Sequence, residues 1–301
     1  MTIIATPPRG IYPALATAFK SDGSLDLERT GALASWLIES GVHGLAPLGS
    51  TGEFYTLSRE EREAVSACVI EAAAGRAPVI VGANASSTAE VIQYCKIARK
   101  QGASGVLLAP PYYALPTRRE LLQHFTKVAS ATDLPITLYN YPGRTGVDLD
   151  LDIVVKLAAI ETVVAIKESS GDATRIASIR EMCEGRIAVL CGCDTLALES
   201  FAAGAEGWIG GGANFLPREH IELYELMVLQ ADLVNGRKLA ASILPVLRQL
   251  EESGAYTQCV KAGLNIIGHP AGPPRAPLMP ADEEQSRSLK RAIETLQSQP
   301  R

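Results

Sequence analysis

The sequence predicts an α/β fold, a (β/α)8 TIM barrel with a C-terminal helical extension, and three observations predict it. Short apolar runs alternate eight times with amphipathic stretches, and parallel strands need a helical crossover between each pair. The run Val163-Val164-Ala165-Ile166 is apolar and mostly β-branched, as a strand covered on both faces must be, and it ends abruptly at Lys167-Glu168-Ser169-Ser170-Gly171. After Leu229 the alternation stops and only helical periodicity continues. The chain has 301 residues, and a barrel of about 250 residues is routinely a single domain, so length forces no split.

The first unit is the apolar run Ile11 to Thr17, a turn at Ser21-Asp22-Gly23-Ser24, and the amphipathic stretch Leu27 to Glu39. The unit recurs as Gly44 to Leu48 with Ser58 to Ala74, Pro78 to Val81 with Thr88 to Lys100, and Gly105 to Leu108 with Thr117 to Ala131. Then follow Pro135 to Asn140 with Asp150 to Ile160, Val163 to Lys167 with Asp172 to Met182, Ile187 to Cys191 with Thr195 to Ala203, and Gly207 to Gly210 with Pro217 to Leu229. Ser58 and Glu61 carry the capping-box signature, and Asp172 and Thr195 stand where N-caps belong. Beyond the units, Arg237 to Glu252, Tyr256 to Ile267 and Asp282 to about Gln297 read as helices, with a Pro-rich crossing from His269 to Pro280. Three regions are therefore expected: a loose leader over 1–9, the barrel over 10–230 and a helical appendage over 231–301. A doubly wound open sheet is the competing architecture. It calls for a Gly-x-Gly-x-x-Gly turn after the first strand, where this chain has Ala16-Thr17-Ala18-Phe19.

Composition narrows the partners. Lys and Arg number 28 against 33 Asp and Glu, a net charge of −5, and no basic cluster breaks the pattern, which argues against nucleic acid and anionic membrane surfaces. No run approaches the roughly eighteen apolar residues of a membrane helix, and the N-terminus lacks the charged and apolar regions of a signal peptide, so a cytoplasmic protein is expected. The six cysteines form no Cys-x-x-Cys pair and are expected to be reduced core residues. The four histidines stand far apart and indicate no metal site.

In a barrel, chemistry gathers at the carboxyl ends of the strands. A lysine where a buried strand surfaces is either a residue that snorkels outward or a desolvated amine able to attack a carbonyl carbon and form a Schiff base. Gly49-Ser50-Thr51-Gly52-Glu53 offers two hydroxyls and turn N–H groups to a small anion, although it is also ordinary turn chemistry. Pro110-Pro111-Tyr112-Tyr113 ends the fourth strand, and by itself reads as rim aromatics. In Leu138-Tyr139-Asn140-Tyr141-Pro142-Gly143-Arg144-Thr145-Gly146 the alternation sends Tyr139 and Tyr141 to one side, and Pro-Gly sets Arg144 at the mouth. An amine, a phenol, paired hydroxyls and a guanidinium on one rim favour the reactive lysine over the snorkelling one.

These segments, together with Gly207-Trp208-Ile209, resemble the dihydrodipicolinate synthase and N-acetylneuraminate lyase family of class I, pyruvate-handling aldolases on (β/α)8 barrels. The resemblance runs from about Gly10 to the C-terminal helices. It implies that Lys167 forms the imine with pyruvate or another 2-keto acid and that Tyr139 relays protons to and from the adduct. Ser50 and Thr51 would hold the keto acid's carboxylate, with one hydroxyl in the relay to Tyr139. Ile209 matches a position whose backbone carbonyl faces bound pyruvate. Tyr113 matches a tyrosine that enters a neighbouring subunit's site, which implies a homotetramer built as a dimer of dimers. Arg144 matches the entrance residue that binds the second substrate's carboxylate. No metal or organic cofactor is implied; the partners are a keto acid and an aldehyde.

Some positions depart from the synthase pattern. Ser50 stands where the synthases usually have Thr, Ala114 where they tend to have Asn, and Ser86 where their lysine-inhibition pocket has Asn, although Glu90 and Tyr112 match that pocket. Arg144 is the strongest argument for a synthase condensing pyruvate with aspartate semialdehyde. A 2-keto-3-deoxy sugar-acid or 4-hydroxy-2-oxoglutarate aldolase or dehydratase stands second. From other classes, a catalytically silent pyruvate-binding relative and a barrel whose lysine holds pyridoxal phosphate stay open.

Overall fold

The computed structural model describes residues 7–298, so most of the expected leader, residues 1–6, lies outside the described residues. Seven parallel strands form one curled sheet among those residues: β1 (Gly10–Pro13), β2 (Ile80–Gly82), β3 (Gly105–Leu108), β4 (Ile136–Asn140), β5 (Val163–Glu168), β6 (Ala188–Cys191) and β7 (Gly207–Gly210). Their order is β1-β7-β6-β5-β4-β3-β2, so β2 to β7 are neighbours in chain order and β1 pairs with β7.

Eight strands were expected, and the second of them, Gly44 to Leu48, is absent as a strand. Only single parallel bridges remain, Ala14 with Ala46 and Leu45 with Val79. The reason is local: Pro47 has no N–H to donate, and Leu48 is held at φ 60°, outside the extended region. The segment still bonds to both flanks, since Ala46 N–H donates to Pro13 O (3.0 Å), Leu45 N–H to Pro78 O (3.0 Å) and Ile80 N–H to Leu45 O (2.9 Å).

Helices α1 (Leu27–Glu39), α2 (Arg59–Ala73), α3 (Thr88–Gln101) and α4 (Arg118–Ala129) follow the first units. A single turn α5 (Pro142–Thr145), then α6 (Leu151–Ala158), α7 (Thr174–Met182), α8 (Ala197–Ala202) and α9 (Pro217–Tyr224), follow the later ones. The Ser58–Glu61 capping box forms as expected. Two other caps differ: Asp172 lies one residue before the N-cap of α7 yet accepts the Thr174 N–H (2.9 Å), and Thr195 lies inside a 3-10 turn. Apolar residues divide into two layers. Tyr12, Ala46, Leu107, Tyr139, Ala165, Leu190 and Ile209 fill the inner face of the sheet, and a larger cluster packs between the sheet and the helices.

The C-terminal helices α10 (Leu233–Glu251), α11 (Tyr256–Ile266) and α12 (Glu283–Ser298) pack on one another, and α10 also packs on α8 and α9. A buried ion pair ties them to the front of the molecule. Lys261 Nζ lies 2.6 Å from Glu53 Oε1, both side chains being shielded from water. Glu53 Oε2 accepts the Arg275 N–H (2.8 Å), and the Arg275 guanidinium grips both oxygens of Glu61 (2.7 and 2.8 Å). Both cations lie over the Phe19 ring, Lys261 Nζ at 4.3 Å and Arg275 Cζ at 4.5 Å from its centre. Glu53, which the sequence placed in a ligand-binding turn, is thus a structural anchor.

Lys261→Met leaves Glu53 as an uncompensated buried charge, and unfolding in urea should show a loss of roughly 3–5 kcal/mol. Adding Glu53→Gln should restore part of it; a loss below about 1 kcal/mol in the single variant would show that the pair does not anchor the extension.

Candidate active site

Strand alternation and register together decide where the reactive side chains lie. Tyr139 on β4, Lys167 on β5 and Leu190 on β6 are direct register partners, so all three share one level of the inner face. One step toward the carboxyl ends on the same face are Tyr141 and Gly192. Lys167 is only 6% exposed, and its Nζ lies 4.2 Å from the centre of the Tyr139 ring. No hydrogen bond or ion pair engages that nitrogen among the described residues. Glu168, its neighbour in sequence, faces the opposite way and is spent there. It accepts the Ser170 N–H (2.6 Å), Asn140 Nδ2 (3.2 Å) and Arg175 Nε (3.1 Å).

Gly192 makes room for the lysine. A Cβ at this position would meet Ser169 Oγ, and would come within 2.8 Å of both Lys167 Cε and the Glu168 carbonyl. Any larger residue at that inward position would occupy the space through which the amine passes.

Two adjoining cavities open here. The inner one, about 20 Å3, is lined by Ser50, Thr51, Tyr139, Arg144 and Lys167 among others, and by Glu251. The outer one, about 270 Å3, shares Ser50, Tyr139, Tyr141 and Arg144 and adds Phe54, Tyr55 and Tyr112. Thr51 is buried beneath the turn, whose chain is held by Thr17 Oγ1–H donating to Gly52 O (2.8 Å). Arg144 sits on α5, a helical turn where the sequence suggested a simple reversal, with its Cζ 5.6 Å from the Tyr141 ring centre. A wider cavity of about 430 Å3 lies at the opposite end of the strands, lined by Ile80, Gly105 and Thr137, where barrels carry stability and not chemistry.

Two expected residues are not brought into these cavities. Tyr113 is 95% exposed with φ 72°, turned away from the pocket of its own chain. Ile209 is fully buried in the inner layer and lines neither cavity.

Four residues that sequence reasoning passed over complete the inner wall or brace it: Cys193, Asp194, Glu251 and Tyr256. Glu251 is the last residue of α10 and Tyr256 the first of α11, so the corner between these helices presses on the cavity. Asp194 is the brace. Its carboxylate accepts Trp208 Nε1–H (2.8 Å), Gly212 N–H (3.1 Å) and the Tyr256 O–H (2.6 Å), while its own N–H donates to Glu251 Oε1 (2.8 Å). Burial, and then the charge of Asp194, push the Glu251 carboxyl up to about 7, although Lys167 and Arg144 pull the other way. No local sequence signal pointed to Glu251, which stands in an ordinary amphipathic helix far along the chain. All six cysteines are free thiols, and burial pushes that of Cys193 up to about 12.

A buried amine beside a phenol, at the carboxyl end of a curled parallel sheet, defines an α/β enzyme. The chain belongs to the dihydrodipicolinate synthetase family, whose model matches residues 7–296. It is 38% identical over 284 residues, 94% of this chain and 95% of the relative, to the 4-hydroxy-tetrahydrodipicolinate synthase of Methanothrix thermoacetophila. Among solved structures, the chloride-inhibited dihydrodipicolinate synthase from Acinetobacter baumannii, complexed with pyruvate, matches with a TM-score of 0.91 at 35% identity, covering 97% of this chain and 99% of that one. YagE of E. coli K12, a prophage protein belonging to the dihydrodipicolinic acid synthase family and also in complex with pyruvate, matches with a TM-score of 0.90 at 31% identity, covering 96% of this chain and 98% of that one.

Gly192→Ala should leave the fold intact by circular dichroism yet reduce covalent capture of a keto acid at Lys167 at least about tenfold, because the side chain must move to admit the new methyl group. Capture at the unaltered rate would show that the amine does not depend on this gap.

Proposed function

We propose that the chain is a lysine-imine lyase that condenses pyruvate with aspartate semialdehyde, the activity for which its relatives are named 4-hydroxy-tetrahydrodipicolinate synthases. One observation carries this reading: the buried, unpaired Lys167 amine stands in register with Tyr139 on the inner face of the sheet. A buried amine with no hydrogen-bond or ion-pair partner among the described residues, set beside a phenol, is placed to attack a carbonyl carbon.

In this reading Lys167 Nζ attacks the keto carbon of pyruvate. Tyr139 moves the protons that let the carbinolamine lose water, and an iminium is left on the lysine. That cation draws electrons from C3, which gives up a proton to form the enamine. The enamine carbon then bonds to the aldehyde carbon, and the aldehyde oxygen takes up a proton. Attack on the imine by water or by the substrate's own amine returns the free lysine. Ser50 and Thr51 hold the pyruvate carboxylate, and Arg144 at the mouth takes the carboxylate of the second substrate in a bidentate fork. The chemistry as read calls for no metal or organic cofactor.

Further parts of the reading rest on the same footing. The bridged segment at Leu45 and Ala46 takes the place of an eighth strand, making residues 10–230 a (β/α)8 barrel with residues 231–301 as its appendage. The exposed Tyr113 serves the pocket of a neighbouring subunit, in a homotetramer that works in the cytoplasm. A 2-keto-3-deoxy sugar-acid aldolase is the second reading, favoured by Ser50 at the carboxylate-binding turn.

Borohydride reduction in the presence of pyruvate should give a mass adduct on the wild-type chain and none on Lys167→Ala; an adduct on the variant would place the nucleophile elsewhere. Tyr139→Phe should lower turnover by roughly two to four orders of magnitude, and near-normal turnover would leave Tyr139 as packing. Pyruvate consumption with aspartate semialdehyde, glyoxylate and glyceraldehyde should be fastest with the first; consumption with only the others would favour the second reading.

A further inference from the structure

The inner cavity holds a charge that the chemistry above does not use. Its wall offers five hydroxyls, from Ser50, Thr51, Tyr139, Tyr141 and Tyr256, and two cations, Lys167 and Arg144, groups that suit an acceptor-rich keto acid. Glu251 is the one carboxyl group lining it. Asp194, close behind, cannot serve a ligand, because Trp208, Gly212 and Tyr256 already donate to its oxygens.

Glu251 is held from one side only. Oε1 accepts the Asp194 N–H at 2.8 Å, while Oε2 has no hydrogen-bond or ion-pair partner among the described residues. A half-buried carboxylate with a free oxygen, near a second buried carboxylate, gains from a cationic donor and is repelled by an anion.

We propose that Glu251 is a specificity-determining residue: its carboxylate receives the ammonium group of the second substrate while Arg144 holds that substrate's carboxylate. This rests on the lyase reading above and extends it. An aldehyde bearing only a carboxylate satisfies Arg144 and brings an unanswered negative charge toward Glu251. A zwitterionic aldehyde answers both groups. The selecting group comes from the end of α10, outside the sheet that carries the reactive lysine.

The test compares two aldehydes of equal length that share a carboxylate and differ only in the amine, aspartate semialdehyde and succinic semialdehyde. With pyruvate saturating, kcat/KM for the first and kcat/KM or the inhibition constant for the second are measured for the wild type, Glu251→Gln and Glu251→Ala. The wild type should prefer the aminated aldehyde, Glu251→Ala should lose roughly ten- to a hundredfold of that preference, and Glu251→Gln, which keeps an acceptor without the charge, should fall between. An unchanged preference in both variants, or a wild type that does not distinguish the two aldehydes, overturns the proposal. Should Glu251→Ala disturb the helix corner, as circular dichroism would report, the near-isosteric Glu251→Gln carries the test alone. Borohydride capture of pyruvate by the wild type is run alongside. Its failure sinks the lyase reading, whereas capture with an unchanged preference sinks only the role of Glu251.

Discussion

The register between β4 and β5 is the constraint on which the pocket depends. Because side chains alternate across a strand, a slip of one residue would send Lys167 to the helix-covered face and bring Glu168 inward, an acid in place of the amine. The hydrogen bonds that Glu168 accepts from Asn140, Ser170 and Arg175 oppose such a slip, since each would be broken and a buried carboxylate left bare. The acid next to the lysine therefore fixes the lysine's direction without touching it. On the neighbouring strand, Leu190 and then Gly192 step from bulk to none at the level where the amine needs space.

A second principle divides labour between the sheet and the extension. Strand ends supply the amine, the phenol and the hydroxyls, while the corner of α10 and α11 supplies Glu251 and Tyr256. Asp194 connects the two, hydrogen-bonded to Trp208 on β7 and to Tyr256 on α11. The Glu53–Lys261 pair makes a separate connection on another side. The extension is thus a structural wall of the site, and its attachment relies on buried polar contacts, which are sensitive to geometry in a way that apolar packing is not.

Most of this was legible from local pattern. Leu27–Glu39 begins and ends at the residues that its apolar spacing suggested, and Val163–Glu168 carries Lys167 to the rim as its abrupt change of polarity implied. Tyr139 and Tyr141 share a face because alternation is a local property. What stayed hidden was non-local or masked by backbone detail. Gly44 to Leu48 has the composition of a strand, but Pro47 and the left-handed Leu48 leave it only bridges. Glu251 carries no local mark, since its role arises from a contact with Asp194 made across a long stretch of chain. Glu53 belongs to a motif that invites a ligand role, yet its partner, Lys261, lies far along the sequence.

The corner between α10 and α11 also bears on how such a pocket diversifies. On the proposed reading, the group that reads the incoming aldehyde stands on an element separate from the strands that carry Lys167 and Tyr139, so substitutions there can retune which molecules are accepted while leaving those two residues untouched. Selection acting on those few helical positions would be free to explore new substrates without first dismantling an inherited reaction.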